Sequence, residues 1–169
     1  MLKFLIVGLF GTTLTVMTTP LASAQATIGF GGDDHDSSLP VEVTSDTLSI
    51  DQDTGQATFV GNVVVIQGNL RMNAAQVQVN YTDDQVDREI SEVVATGDVL
   101  ITQGDDAAEG SLAVYDVATG SLTMTGDVLV TQGSTLIAGE QLVVDMETGD
   151  GTMEGRVRTT FDTTAEPTQ

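Results

Sequence analysis

The apolar residues of this chain alternate with polar residues over four separate stretches, and a glycine lies at the centre of each alternation. The first stretch is ATFVGNVVVIQG, residues 57–68. The same pattern recurs around Gly97, Gly126 and Gly155, so that the four glycines, counted from Gly61, lie 36, 29 and 29 residues apart. β-Branched residues in period-2 alternation, bounded by glycines, are typical of β-strands. The spacing predicts one strand-containing unit that is repeated about four times.

The alternation also assigns an inward face to each of these strands. Side chains two residues apart point to the same side of a strand, so Phe59, Gly61 and Val63 share one face. The opposite face carries polar residues such as Thr58 and Asn62. A glycine inside a strand marks a bend, a bulge or a close approach. We therefore expect an inward glycine at the same level of four strands and a crease that crosses the sheet.

Shorter strands are predicted between the long ones. Their apolar members are Leu48 and Ile50, Val77 and Val79, Leu112 and Val114, and Leu142 and Val144. Thr-Gly pairs at residues 54–55, 119–120 and 148–149 are typical of turns. No segment after residue 24 has the i, i+3, i+4 apolar spacing of an amphipathic helix. The pattern predicts an all-β protein whose antiparallel strands form two facing sheets, with a β-solenoid as the alternative.

The two ends of the chain lack the strand pattern. Residues 1–24 have the features of a secretory signal peptide, with Lys3 before an apolar run and an Ala-x-Ala cleavage site at the end. Residues 25–38 are rich in glycine and acidic residues, which predicts a flexible leader. Residues 162–169 are polar and predict a disordered tail. The folded domain is predicted to span residues 39–161.

The charge of the chain limits its partners. It has 25 acidic and 5 basic residues, and Lys3 is the one charged residue of the first 24. The remaining chain, with 4 basic and 25 acidic residues, has a formal net charge of −21. Such a charge disfavours nucleic acid, because no basic patch can neutralise phosphates. Since the chain has no cysteine, neither a disulfide nor a thiolate metal site can stabilise it.

No set of residues suggests catalysis. The one histidine, His35, lies in the predicted leader and is interpreted as an ordinary surface residue, around which no base–nucleophile pair can be assembled. The acidic pairs at residues 83–84 and 105–106 do not have the spacing of a calcium loop and are interpreted as solvated turn residues. We therefore expect no enzymatic activity, no cofactor and no metal site.

The repeated sequence resembles the OstA-like family of lipopolysaccharide transport proteins. The resemblance rests on the repeated Gly-Asn/Asp-Val-x-Val-x-Gln-Gly pattern and on PVEVTSD at residues 40–46. It implies an open, twisted β-jellyroll whose apolar trough binds the acyl chains of lipid A. It further implies a periplasmic protein that stacks head to tail between an inner-membrane LptC-like protein and an outer-membrane LptD-like translocon. The alternatives are an LptC-like protein that keeps its N-terminal anchor, and a structural β-repeat protein of the envelope.

The resemblance makes the inward face a candidate lipid-binding surface. Without it, the same residues would be interpreted as ordinary core. Phe59, Met124 and Met153 are the foremost candidates, because they precede the central glycine at equivalent positions. The full predicted set is Val43, Phe59, Val63, Val65, Val79, Val99, Ile101, Val114, Met124, Val128, Val130, Val144 and Met153. Self-association is predicted at the strand edges that contain Val41, Val43, Arg156 and Arg158.

Overall fold

The computed structural model describes residues 28–29, 39–82 and 89–161, and within them every regular element is a β-strand. The strands are β1 (Ile28–Gly29), β2 (Glu42–Thr44), β3 (Thr47–Ile50), β4 (Ala57–Gln67), β5 (Leu70–Tyr81), β6 (Ile90–Gln103), β7 (Asp106–Asp116), β8 (Ser121–Gln132), β9 (Thr135–Asp145), β10 (Asp150–Glu154) and β11 (Arg158–Phe161). The all-β prediction is confirmed. The predicted signal peptide and the predicted tail lie outside the described residues.

All eleven strands belong to one antiparallel sheet. Its order is β1-β10-β9-β8-β7-β6-β5-β4-β2, with β3 also paired to β4 and β11 also paired to β9. From β3 to β10 the chain is a meander, in which each strand pairs with the next one in sequence. The short strands outside it do not follow this rule, because β2 pairs with β4, β11 pairs with β9, and β1 pairs with β10 at the opposite end of the sheet from β2. The strands form one continuous open sheet, where the sequence pattern predicted two facing sheets in an open jellyroll.

A β-bulge interrupts each long strand at the predicted glycine. Opposite Ala75 on β5 lie two residues of β4, Gly61 and Asn62, because Val60 pairs with Gln76 whereas Val63 pairs with Ala74. Equivalent shifts occur between β6 and β7 and between β8 and β9. Bulges at the same level of successive strands bend the whole sheet along one line. The predicted crease is therefore confirmed.

The residue pair at each bulge adopts a left-handed backbone conformation. The φ angles of Gly61, Gly97, Gly126 and Gly155 lie between +77° and +88°, and those of the next residues lie between +43° and +52°. The next residue is Asn or Asp in three of the four pairs, and these are the non-glycine residues that tolerate such angles best. The repeated Gly-Asn/Asp pair is thus a backbone requirement of the bulge.

The bulge glycines point away from the interior, contrary to the prediction. A Cβ atom added to Gly97 would lie 2.7 Å from the Cβ of Ala75, which is exposed. A Cβ added to Gly126 would likewise meet Ser111, also an exposed residue. The positive φ angle turns the glycine out of the alternation, while the flanking residues keep theirs.

The bulge also shifts the alternation on the partner strands, and this corrects the prediction for β7. On β5 the inward residues Ala74 and Val77 lie three positions apart rather than two or four. The same shift on β7 places Ala113 and Tyr115 inward. Val114 pairs with Val94 and Thr123 on the outer face, and Leu112 pairs with two threonines there. Val114 was therefore wrongly assigned to the interior, because period-2 alternation was continued through a bulge.

Three turns share one local design, in which an aspartate carboxylate binds the backbone two or three residues later. Asp116 accepts hydrogen bonds from the N–H and the hydroxyl of Thr119, both at 2.9 Å. Asp51 and Asp145 accept similar backbone bonds in their own turns. Donation from the Thr119 backbone, and then from its hydroxyl, holds the pKa of Asp116 below its usual range. These Asp-x-x-Thr-Gly turns close the hairpins at one end of the strands.

The short strand β1 lies within the segment that was predicted to be a flexible leader. Ile28 pairs with Gly151 and is fully buried, with 0% of its surface exposed. It belongs to the same apolar cluster as the rest of the core. The flexible-leader prediction is therefore wrong for residues 28 and 29, and the rest of that segment lies outside the described residues.

Candidate functional site

The inner face of the sheet encloses a single apolar cluster that extends from β1 to β10. Several of its members, such as Val63, Met124 and Val130, have at most 1% of their surface exposed. Within the described part of the chain there is no helix or second sheet to cover this face. The two halves of the creased sheet must therefore cover each other, and the space between them is the candidate site.

Twelve of the thirteen predicted lipid-binding residues lie on this inner face, and Val114 is the exception. Eight of the twelve are buried: Val63, Val99, Ile101, Met124, Val128, Val130, Val144 and Met153. Four are partly buried and pack against the cluster: Val43, Phe59, Val65 and Val79. Of the three foremost candidates, only Phe59 therefore has surface that a ligand could reach without the sheet opening.

The interior is open at its N-terminal end. Leu48 pairs with Phe59 and Ile50 pairs with Ala57, so both belong to the inner face. Yet 53% of Leu48 and 60% of Ile50 is exposed. The partly buried inward residues also concentrate on the first strands. An apolar inner surface that reaches solvent at β3 and β4 offers an entry point for an apolar ligand.

The C-terminal end of the interior is closed by β1. A Cβ atom added to Gly151 would lie 2.8 Å from the carbonyl oxygen of Ile28 and 3.4 Å from a methyl group of Val144. Glycine at position 151 thus allows β1 to approach β10 closely. The two ends of the sheet therefore differ, since one is open and the other is covered by a short strand of the same chain.

Sequence reasoning missed several inward residues, among them Ala113 and Tyr115. A usable signal was present, because Val77, Ala113 and Leu142 each lie 16 residues after a bulge glycine. Tyr115 is partly buried and packs against the apolar cluster. Burial, and then the charge of Asp116, raises the pKa of Tyr115, so the phenol is neutral at pH 7.

A surface groove lies at the crease, outside the predicted trough. It has a volume of about 580 Å³ and is lined by Gly61, Asn62, Asn73, Ala75 and Asp98, together with four neighbouring residues. A second groove of about 360 Å³ continues past Asp98 toward β8. Both are open to solvent and are lined by polar and apolar residues together. No group of three or more potential metal ligands occurs among the described residues.

The two exposed edges of the sheet carry the residues predicted to mediate self-association. At the first edge Val41 is exposed and Val43 is half-buried in β2. At the last edge Arg158 begins β11, and Arg156 forms an ion pair with Glu140 of its own chain at 3.1 Å. This pair is well exposed and contributes only about 0–1 kcal/mol. Arg158 takes part in no ion pair among the described residues.

Known proteins share both the sequence pattern and the fold. The family described as LptA/(LptD N-terminal domain) LPS transport protein matches residues 42–150. The lipopolysaccharide export system protein LptA of Escherichia coli K12 is 34% identical over 55 residues, which cover 32% of this chain and 30% of that protein. LptA of Shigella flexneri matches with the same identity and coverage. The aligned part thus spans about a third of these curated relatives.

A solved structure shows the same architecture. LptH of Pseudomonas aeruginosa, the LptA-homologous periplasmic component of the lipopolysaccharide transport device, superposes with a TM-score of 0.65. The superposition covers 74% of this chain and 96% of LptH at 20% sequence identity, so it establishes the fold. Since the family match covers well over half of the chain, this protein belongs to the LptA/LptD N-terminal domain family of lipopolysaccharide transport proteins.

Proposed function

We propose that this protein carries lipopolysaccharide through the periplasm by holding the acyl chains of lipid A between the two halves of its creased sheet. The observation that supports this most directly is the apolar inner face, which runs the length of the sheet and reaches solvent at Leu48 and Ile50. Its relatives are proteins of lipopolysaccharide export and transport. Binding and release require no covalent chemistry, so the protein acts as a carrier.

The energetics allow the protein to hold a lipid without basic residues that bind its phosphate groups. Burial of acyl chains contributes about 0.8 kcal/mol per methylene group, so several chains can hold a lipid in an apolar interior. The described part of the chain has only the arginines at positions 71, 156 and 158 as cations, and none lies on the inner face among the buried residues. The phosphate groups of lipid A would therefore remain outside, solvated or bridged by divalent cations.

Entry of the lipid requires the two halves of the sheet to separate. The central inward residues are sealed against one another, whereas those of the first strands are partly exposed. We propose that acyl chains enter along β3 and β4, displace contacts at Phe59 and move toward the middle of the sheet. Each acyl chain replaces the apolar side-chain contacts that it breaks. The opening of the sheet therefore leaves the total buried apolar area nearly unchanged.

We further propose that copies of this protein stack head to tail and link an LptC-like inner-membrane protein to an LptD-like translocon. The edge formed by β2 and β3 carries exposed apolar residues and acidic residues such as Glu42 and Asp46. The edge formed by β11 carries Arg158 and the exposed Phe161. Contact between two different edges is heterologous and allows a filament to grow, and strand addition supplies its hydrogen bonds.

Native mass spectrometry of protein isolated from a lipopolysaccharide-producing periplasm tests the carrier function. The wild type should retain lipopolysaccharide at about one molecule per chain. Phe59→Asp should lose it, because the charge would lie on the inner face, whereas Thr58→Asp, on the outer face of the same strand, should retain it. Both variants should keep the β-sheet circular dichroism spectrum. Lipid-free wild type, or equal loss from both folded variants, would refute the proposal.

A further inference from the structure

Gln103 is a buried polar side chain that no hydrogen bond explains. It is the last residue of β6, and it continues the inward series of Val99 and Ile101. Only 8% of Gln103 is exposed, and within the described part of the chain both its amide oxygen and its amide nitrogen are fully buried without a partner. Buried amides almost always have partners, because leaving one unpaired destabilises the folded state.

The equivalent glutamine of the preceding repeat shows how the chain can satisfy such an amide. Gln67 ends β4 as Gln103 ends β6, and each is followed by a glycine. The Gln67 amide donates a hydrogen bond to the carbonyl oxygen of Leu39 at 3.0 Å. Within the described chain, no residue accepts a hydrogen bond from the Gln103 amide as Leu39 does from Gln67. The repeat therefore places the amides of Gln67 and Gln103 at equivalent positions, but only the Gln103 amide remains available to a different partner.

The surroundings of Gln103 indicate the chemistry of that partner. Leu70, the neighbour of Gln103 on β5, packs against the apolar cluster. Ile101 lies two residues before Gln103 on the same face of β6 and belongs to that cluster. Asp106, its neighbour on β7, carries a carboxylate and would repel an anion. The site thus combines an apolar floor with one amide, which offers two donors and an acceptor to a neutral group. A hydroxyl or amide group attached to an acyl chain fits both features.

We propose that Gln103 recognises the neutral polar groups, hydroxyl or amide, that accompany the acyl chains of the bound lipid. This inference rests on the proposed carrier function and adds a specificity determinant to it. Gln103 lies where β6 ends, at the rim of the interior, so its amide would bind the polar part of the lipid while the chains extend past Ile101. The amide then distinguishes lipid A, which carries amide and hydroxyl groups on its acyl chains, from a simple fatty acid.

The test compares Gln103→Leu with Gln67→Leu, using lipid A and palmitate as ligands. Leucine removes the amide but retains the bulk, so without ligand Gln103→Leu should be at least as resistant to urea as the wild type. Gln67→Leu should be less resistant, because it loses the bond to Leu39. Gln103→Leu should bind lipid A about fivefold more weakly, the effect of one net hydrogen bond, and palmitate with unchanged affinity.

Each result decides the inference. Unchanged lipid A affinity in Gln103→Leu, or an equal loss for lipid A and palmitate, overturns the role of Gln103 and leaves the carrier function standing. A loss of urea resistance in ligand-free Gln103→Leu would mean that the amide stabilises the fold, and it also overturns the inference. Failure of the wild type to bind either ligand overturns the carrier function itself.

Discussion

Substitution of Gly97 by alanine tests the structural basis of the crease. At this bulge φ is +81°, and a left-handed conformation costs an alanine about 1–2 kcal/mol. In addition, the new Cβ would lie 2.7 Å from the Cβ of Ala75, well inside the optimum of about 3.5–4.0 Å between carbon atoms. Relief of this overlap moves one strand against the other and costs about 1–3 kcal/mol more.

Gly104 provides the matched control, since it has a φ of +58° and no atom within 4 Å of an added Cβ. Gly104→Ala should therefore cost only the conformational term of about 1–2 kcal/mol. The free energy of unfolding, measured by urea titration with circular dichroism, should fall by about 2–5 kcal/mol in Gly97→Ala. The difference between the two variants isolates the steric contact with Ala75.

A double-mutant cycle completes the test, because the obstructing atom is a single exposed methyl group. Ala75→Gly alone should cost about 0.5–1 kcal/mol through backbone entropy. Combined with Gly97→Ala, it should remove the steric overlap, because the obstructing methyl group is then absent. The double variant should therefore be more stable than the sum of the two single effects predicts. Equal destabilisation by Gly97→Ala and Gly104→Ala, or strict additivity in the cycle, would refute the close approach of β5 and β6 at the bulge.

Three further predictions concern the ends of the sheet and one of its turns. Ile28→Ala should lower the free energy of unfolding by about 2–4 kcal/mol, as for other buried residues, and a change below about 0.5 kcal/mol would show that β1 is not docked. Deletion of residues 156–169 should leave a folded protein that no longer self-associates at high concentration, and unchanged light scattering would reject head-to-tail stacking. Thr119→Ala should raise the pKa of Asp116, followed by NMR, toward its usual range, because one of the donors that stabilise the carboxylate is lost. Since the pKa of Asp116 is depressed in the folded state, its contribution to stability is present above the unfolded pKa of about 3.9 and is lost on acidification below it. An unchanged pKa of Asp116 in Thr119→Ala would contradict the role of the hydroxyl group.

The sequence predicted the strands and the crease because both have strong local causes. The Gly-Asn/Asp pair at Gly61 and at later repeats requires a left-handed backbone, and the alternation beside it survives the bulge on the same strand. On the partner strand the phase shifts by one residue, and nothing local at Val114 signals this shift. The face on which Val114 lies depends on the register between neighbouring strands. That register can be inferred from the sequence only when positions are counted from the preceding glycine.

Long-range pairing explains the remaining differences. The contact of Ile28 with Gly151 joins segments more than 120 residues apart, and a two-residue strand in a glycine-rich segment has no periodic signal. The isolation of Gln103 is equally invisible in the sequence, since Gln67 occupies the same position of the repeat and does have a partner. Whether a repeated polar residue is satisfied depends on the segment that passes beside it.

Photocrosslinking from neighbouring valines on β4 tests most directly whether lipid lies between the halves of the sheet. Val65 faces inward and packs against the apolar cluster, whereas Val64 pairs with Thr44 and Asn73 on the outer face. A photoreactive residue at position 65 should capture lipopolysaccharide in the periplasm, and the same residue at position 64 should not. Equal capture from both positions, or capture from position 64 alone, would contradict a lipid path through the interior.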